Sequence, residues 1–369
     1  MSTCGHILES SCAVIVSREK FLEACSFASF GLGKQGIGTC FKFSNGHVSA
    51  FNEDTYASAP IDIGWSGIIE ASKLLGILQK NKDESVDIVF LDKKQKLVLK
   101  GSGKAWKSEF VVEIHESLGE WEIEEPDEWL HLDPHMLDGI AAVQSAADKG
   151  KKSTPMTRCI HITPTFIEAT DTSQYARYTV DTGFANDVLV LRDGLKTVVP
   201  VGAIEFAVRP EFIHFRNQKG VRISVRTEMG DYPDLGALLD GIEDYPELPL
   251  PGGMKEALDA CGVMLGSDVS EHAVLVTLKP GWLYCESESS GNTHTTRSPL
   301  PSYVGEELQF SVHPKLLGAI VEHGKMACAP LNVHMNRLVV CEGRHTYMVI
   351  ATTPTSEDAD GLGDSNGEE

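Results

Sequence analysis

Val225-Arg-Thr-Glu-Met-Gly-Asp-Tyr-Pro-Asp-Leu-Gly236 decides how the chain is divided. Val221, Ile223 and Val225 alternate with polar residues and run into Gly230 and then Pro233, the pattern of a sheet strand closed by a turn. Upstream, from Asp133, the order is a helix pattern, strands, a short helix and more strands. Downstream, over residues 253–352, that order recurs, and a third copy reads before Asp133. Taken alone, residues 229–234 would be one surface turn. Recurrence on both sides makes them a boundary between domains.

The 369 residues, 42% hydrophobic with 34 glycines, suit a turn-rich globular chain of two to four domains. No apolar run reaches membrane-spanning length, and Met1-Ser-Thr-Cys-Gly-His has neither the basic nor the apolar part of a signal peptide. Nine cysteines without a CxxC pair suggest neither a disulfide framework nor a zinc ribbon, so a reducing compartment is expected. The net charge of -21 argues against nucleic acid until its distribution is read. Residues 116–133 carry eight acids and residues 355–369 six, with no Lys or Arg in either, which leaves only -7 of the -21 for the body. A body near balance can hold one basic surface.

In the first copy, Ser17 is placed to cap a helix to about Ala28, with Phe21, Leu22, Cys25 and Ala28 on one face. Strands at 39–43 and 47–51 join at Asn45-Gly46, a hairpin signal. A second helix is expected over 67–79, with Lys73 and Lys80 opposite its apolar side. In the second copy, Asp133-Pro134 opens a helix with an N-cap and a proline at its first position, and Lys149, Lys151 and Lys152 close it. A short helix is expected at 191–199, where Arg192 and Lys196 share a face. In the third, helices begin at Met254 and Pro314. Trp121 and Trp129 are placed to pin the acidic connector against a domain. No glycine-rich phosphate loop, GxGxxG, HExxH or GxSxG is present, and the 13 histidines are scattered, so neither catalysis nor a metal or cofactor is expected.

Three stretches carry a resemblance: Glu168-Ala-Thr-Asp171 followed by Tyr175-Ala176; Glu228-Met-Gly-Asp-Tyr-Pro-Asp234; and Gly343-Arg-His-Thr-Tyr-Met-Val-Ile350. Phe310-Ser-Val-His-Pro-Lys-Leu-Leu317 adds a fourth. In this order and spacing the chain resembles the bacterial DNA polymerase sliding clamp, the DNA polymerase III beta subunit family, as a divergent member, phage-encoded or otherwise. The resemblance covers residues 12–353. It implies an α+β fold of three repeated clamp domains, with helices lining the inner face of a ring and antiparallel sheets outside. The expected boundaries are an arm at 1–11, domains at 12–118, 133–240 and 253–354, linkers at 119–132 and 241–252, and a disordered acidic tail at 355–369.

The function implied is that of a processivity factor, not an enzyme and without cofactors. A cytoplasmic homodimer would encircle duplex DNA without reading its sequence, tether a DNA polymerase and be opened by a clamp loader ATPase; a phage-encoded chain would act in the host cytoplasm. A sliding ring needs loose attraction to phosphates rather than base contacts. The cations placed to supply it are Lys20, Lys73, Lys80, Lys149, Lys151, Lys152, Arg192, Lys196, Lys255 and Lys315. The family's partner-peptide cleft maps onto Thr170, Thr172, Tyr175, Pro233, Leu238, Val349, Ile350 and Thr352. Two departures bear on it. Ile350-Ala351-Thr352 stands where the family has a methionine- and proline-containing peptide, and Leu235-Gly236-Ala237 stands where it has basic residues. The alternative is a clamp-derived protein-interaction scaffold that does not encircle DNA.

Overall fold

Asn45 and Gly46 have φ of 51° and 72°, the two left-handed residues that let a two-residue turn match the twist of the strands it joins. That hairpin belongs to a computed structural model that describes residues 13–91, 95–101, 106–111, 123–150, 154–265, 273–289, 292–332 and 334–353, with only the main chain described at Ile37, Met264 and Leu265. The expected N-terminal arm, Trp121, Lys151, Lys152 and the acidic tail lie outside the described residues.

The first stretch holds β1 (Ala13–Ser17), α1 (Arg18–Ala28), β2 (Cys40–Ser44), β3 (His47–Phe51), β4 (Thr55–Pro60), β5 (Gly67–Glu70), α2 (Ala71–Lys80), β6 (Ser85–Leu91), β7 (Lys96–Gly101) and β8 (Lys107–Val111). Next come β9 (Leu130–His131), α3 (Pro134–Val143), β10 (Cys159–Ile162), β11 (Phe166–Thr170), β12 (Gln174–Thr179), β13 (Val188–Leu191), the one-turn helices α4 (Arg192–Leu195) and α5 (Val198–Val201), β14 (Glu205–Val208), β15 (Phe212–Arg216) and β16 (Arg222–Glu228). The last stretch is β17 (Glu247–Pro249), α6 (Met254–Leu265), β18 (Val274–Lys279), β19 (Gly281–Ser289), β20 (Asn292–Leu300), β21 (Leu308–Val312), α7 (Pro314–Val321), β22 (Lys325–Asn332), β23 (Met335–Glu342) and β24 (His345–Thr352).

These elements form two compact units. One is Met1–Ala141 with Thr182–Met229, the other Ala142–Asp181 with Gly230–Glu369, so the stretch expected as a second domain contributes to both. In the first unit, β1, β6, β7 and β8 make one antiparallel sheet in that order. A second sheet runs β5-β2-β3-β4, and β4 then pairs with β16, continuing through β15 and β14 to β9. In the second unit a sheet runs β10-β11-β12, and β12 pairs with β24, continuing through β23 and β22 to β17. Another runs β20-β19-β18-β21. The β4–β16 and β12–β24 ladders splice segments far apart in sequence into one sheet, which is why each unit takes part of the middle stretch.

Apolar helix faces lie on these sheets. α1 buries Phe21, Ala24, Cys25 and Ala28 against β3 and β4. Its N-cap is Ser17, which accepts a hydrogen bond from the Lys20 amide. Asp133 caps α3 as expected, accepting from the His135 amide at 2.8 Å. α6 and α7 pack on each other and bury Met254, Ala257, Leu258, Leu317 and Ile320.

Two expected helices differ. The one expected over 67–79 is strand β5 for its first four residues, because β-branched Ile68 and Ile69 pair with Lys42 and Phe41 of β2; α2 begins only at Ala71. The one expected over 191–199 is strand to Leu191, then α4 and α5 broken at residues 196–197. Val198, Val199 and Pro200 are poor residues for a continuous helix there. The expected linker 241–252 contains β17, and the 119–132 linker is held at its C-terminal end. There the Arg216 guanidinium lies 4.2 Å from the centre of the Trp129 ring, and Arg222 donates to the Ile123 carbonyl at 2.9 Å.

Candidate functional site

In the second unit, β11 ends at Thr170 and the chain reverses through Asp171-Thr172-Ser173 into β12. One Asp171 oxygen accepts from the amides of Ser173 and Gln174, both at 2.9 Å, and the other accepts from the Gln174 side chain at 2.7 Å. Thr170 Oγ1 donates to the Gln174 carbonyl at 2.7 Å and accepts from the Thr172 amide at 3.0 Å. This turn holds Thr172 at φ 79°, a left-handed conformation that a β-branched residue adopts only when its surroundings impose it. The same turn meets the chain's final strand: the Ile350 amide donates to the Ser173 carbonyl at 2.9 Å, and Tyr347 donates to Gln174 Oε1 at 2.6 Å.

Beyond the turn, Tyr175, Ile242, Val339 and Met348 form a buried apolar floor, on which partly buried Leu235, Leu238, Leu239 and Ile350 pack. Tyr175 stands opposite Met348 in the β12–β24 ladder, and Met348 opposite Val339 in β23–β24. The wall over this floor is the segment from Leu235 to Ile242. Asp234 turns it by accepting from the Gly236 amide at 2.9 Å, and Arg337 of β23 holds it by donating to the carbonyls of Leu238 and Asp240, both at 2.9 Å.

Tyr175 is fixed from beneath. Its hydroxyl donates to Glu168 Oε2 at 2.6 Å, Arg177 donates to the same oxygen at 2.8 Å, and His161 Nδ1 lies 2.9 Å from Glu168 Oε1. Burial pushes the Glu168 carboxyl up, but the hydrogen bonds from His161, Tyr175 and Arg177 and the Arg177 charge outweigh it and hold it below the usual carboxylate range. Burial, then the Glu168 charge, pushes the Tyr175 phenol far above its ordinary value, so it stays a donor. The Tyr232 ring lies tilted against His161 with ring centres 4.6 Å apart.

Of the eight residues expected in the cleft, the structure brings together Tyr175, Leu238 and Ile350 as apolar surface, with Thr170 and Thr172 in the adjoining turn. Val349 is corrected: it is fully buried and, between Met348 and Ile350 on an alternating strand, points to the other face of the sheet. Pro233 and Thr352 are exposed. Sequence reading missed Leu235, Leu239, Ile242, Val339 and Met348. For Met348 the two-residue spacing from Ile350 was the available signal. For Val339 there was none, since strand register sets its place.

The expected DNA-facing cations divide by environment. Lys20, Lys80, Lys149 and Lys315 are exposed. Lys73 is paired with Glu70 at 2.6 Å and Lys255 with Glu322 at 3.2 Å, while Arg192 and Lys196 both reach Asp193, at 3.2 and 3.0 Å. Among the described residues no group of three His, Cys, Asp or Glu could hold a metal ion, and no helix is long and apolar enough to cross a membrane.

No family model matches the sequence, and no curated protein matches it either. Solved structures do. The beta subunit from the DNA polymerase of Streptococcus pyogenes superimposes with a TM-score of 0.77 at 17% identity, covering 93% of this chain and 100% of that one. DNA polymerase III subunit beta from Borrelia burgdorferi, in complex with a natural product, gives 0.79 at 12% identity over 93% and 100%. The sliding clamp from Pseudomonas aeruginosa bound to griselimycin gives 0.76 at 12% identity over 93% and 99%. The fold of this chain is the fold of the bacterial sliding clamps.

Proposed function

We propose that the chain is a DNA sliding clamp, a non-catalytic processivity factor that closes as a homodimer around duplex DNA and tethers a polymerase through the groove of its second unit. The observation that carries this reading is likeness in fold along nearly the whole chain. The groove supports it: Tyr175, Leu238 and Ile350, chosen from sequence as partner contacts, share one apolar surface. Three repeated domains per chain make a six-domain ring from two copies. Exposed sheet edges offer the means, since among the described strands β8 pairs only with β7 and β20 only with β19. A strand edge left unpaired is a template for another chain. Val111, at the end of β8, is 73% exposed, so Val111→Asp leaves the folded chain intact and abolishes the dimer in light scattering. A dimer unaffected by that change would place the interface elsewhere.

DNA retention tests the rest. Reversing Lys20, Lys80, Lys149 and Lys315 to Glu weakens retention on duplex DNA, and the difference between variant and parent shrinks as salt rises. Control reversal of exposed Lys34 and Lys279, which lie on none of those helices and off the β8 and β20 edges, has little effect. Equal losses from both sets would remove the inner-face assignment. The scaffold reading has one observation in its favour: acids already neutralise Lys73, Lys196 and Lys255. A scaffold of that kind binds partner peptides but is not retained on DNA even by the parent chain.

A further inference from the structure

The groove that the clamp reading assigns to partner peptides has an apolar floor and an acidic wall. From Thr227 to Met254 the chain carries seven acids and no Lys or Arg. Asp231, Asp234, Asp240, Glu243 and Asp244 are all exposed, and among the described residues none of these five is in an ion pair. Only Glu247 in this stretch is neutralised, by Lys325 at 2.9 Å. Three of them, Asp240, Glu243 and Asp244, flank the Leu238, Leu239 and Ile242 side chains that close the groove. Two cations lie beside the floor, and neither offers its charge freely: Arg177, 5.7 Å from the centre of the Tyr175 ring, is paired with Glu168 at 2.8 Å, and Arg337 is 6% exposed with its hydrogen bonds spent on the carbonyls of Leu238, Asp240 and Pro330. Arg337 braces the wall and offers little of its charge to solvent. A second run of six acids follows directly after β24, the strand that supplies Met348 and Ile350.

From this complementarity we propose that the partner is a linear peptide with two or three apolar anchors flanked by lysines or arginines. The anchors seat on the partly exposed Leu235, Leu238, Leu239 and Ile350 side chains, which the buried Tyr175 and Met348 support from beneath; the flanking cations meet Asp240, Glu243 and Asp244. Apolar anchors give most of the affinity, whereas rim charges set the encounter rate and exclude wrong partners. An acidic peptide with the same anchors is therefore disfavoured by a field it never touches directly. The inference rests on the groove being a partner site, which belongs to the clamp reading, but not on DNA being encircled.

Fluorescence anisotropy on the full chain tests it with three synthetic probes: Lys-Lys-Leu-Ala-Leu-Leu-Lys-Lys, the same core flanked by glutamates, and the lysine version with serines for the leucines. The lysine-flanked probe binds about tenfold or more tighter than the glutamate-flanked one at low salt, and the gap narrows as salt is added. Asp240→Asn, Glu243→Gln and Asp244→Asn together narrow it further, Leu238→Asp removes binding of both, and the serine probe does not bind. Equal affinity for the two leucine probes, or lysine-probe binding that survives Leu238→Asp, overturns the proposal. DNA retention measured on the same preparation separates the two readings. Retention without charge preference sinks only the present inference, and charge preference without retention sinks only the encircling clamp.

Discussion

Glu168 shows how one buried acid fixes the surface proposed for partner binding. Glu168 is 2% exposed, and the Tyr175 hydroxyl, His161 and Arg177 surround its carboxylate, so the tyrosine ring is held rigidly in the apolar floor. Tyr175→Phe removes a hydrogen bond to a charged group and costs about 1.5–3 kcal/mol in chemical denaturation. The fold persists, and peptide binding weakens less than with Leu238→Asp, which puts a charge into the anchor site and costs about 2 kcal/mol or more of affinity. Because the folded Glu168 carboxyl lies below its ordinary 4.5, its stabilisation is complete above that pH and is lost as pH falls through the folded value. His214 acts earlier in the same direction. Burial, then Arg222 and Arg209, lowers it from 6.5 to about 4, and its Nδ1 lies 2.8 Å from Ser224 Oγ. Between those values the unfolded chain takes up a proton that the folded chain does not, so stability falls on acidification from pH 6.5 toward 4. At pH 5 the loss from this residue is about 2 kcal/mol. In His214→Gln the change in thermal midpoint between pH 7 and 5 is smaller; an unchanged difference would assign the acid sensitivity to other groups.

Elements were legible where short-range chemistry sets them. Asn45-Gly46 marked its hairpin because few dipeptides accept two left-handed residues, and Ser17 and Asp133 marked helix starts because their oxygens satisfy free amides. They were illegible where a distant partner decides. Ile68 and Ile69 fit an apolar helix face as well as a strand, and only the presence of β2 alongside makes them β5. The groove followed the same division. Tyr175, Leu238 and Ile350 were found through a likeness of motif, whereas the opposite orientation of Val349 and the arrival of Val339 depend on the β12–β24–β23 register. Close approach is another feature hidden in sequence. Gly31 sits where a Cβ would come within 2.2 Å of the Ala50 carbonyl oxygen and 2.9 Å of the Ala57 amide nitrogen, so the turn after α1 rests against β3 and β4 with no room for a side chain. Gly31→Ala forces backbone to shift and costs about 1–3 kcal/mol, read as a lowered denaturation midpoint. A neutral result would mean that the segment after α1 can move freely off the sheet.

At the scale of the whole molecule, each unit is spliced by a ladder between distant segments, β4 with β16 in one and β12 with β24 in the other. Repetition of that device suits a chain whose domains are joined edge to edge by continuous sheet, and β8 and β20 are the edges that the proposed second copy would extend. Charge is arranged to the same end in this account: the net -21 is concentrated in connectors and the C-terminal segment, leaving helices that carry exposed lysines. The central claim is that two copies close into a ring. Light scattering coupled to small-angle X-ray scattering, run from micromolar to the highest soluble concentration, tests it most directly. The account predicts a particle of twice the chain mass whose scattering fits a closed annulus with a central hole. A particle that stays at the mass of one chain across the whole range, or a dimer whose scattering fits a filled or open shape, would contradict it.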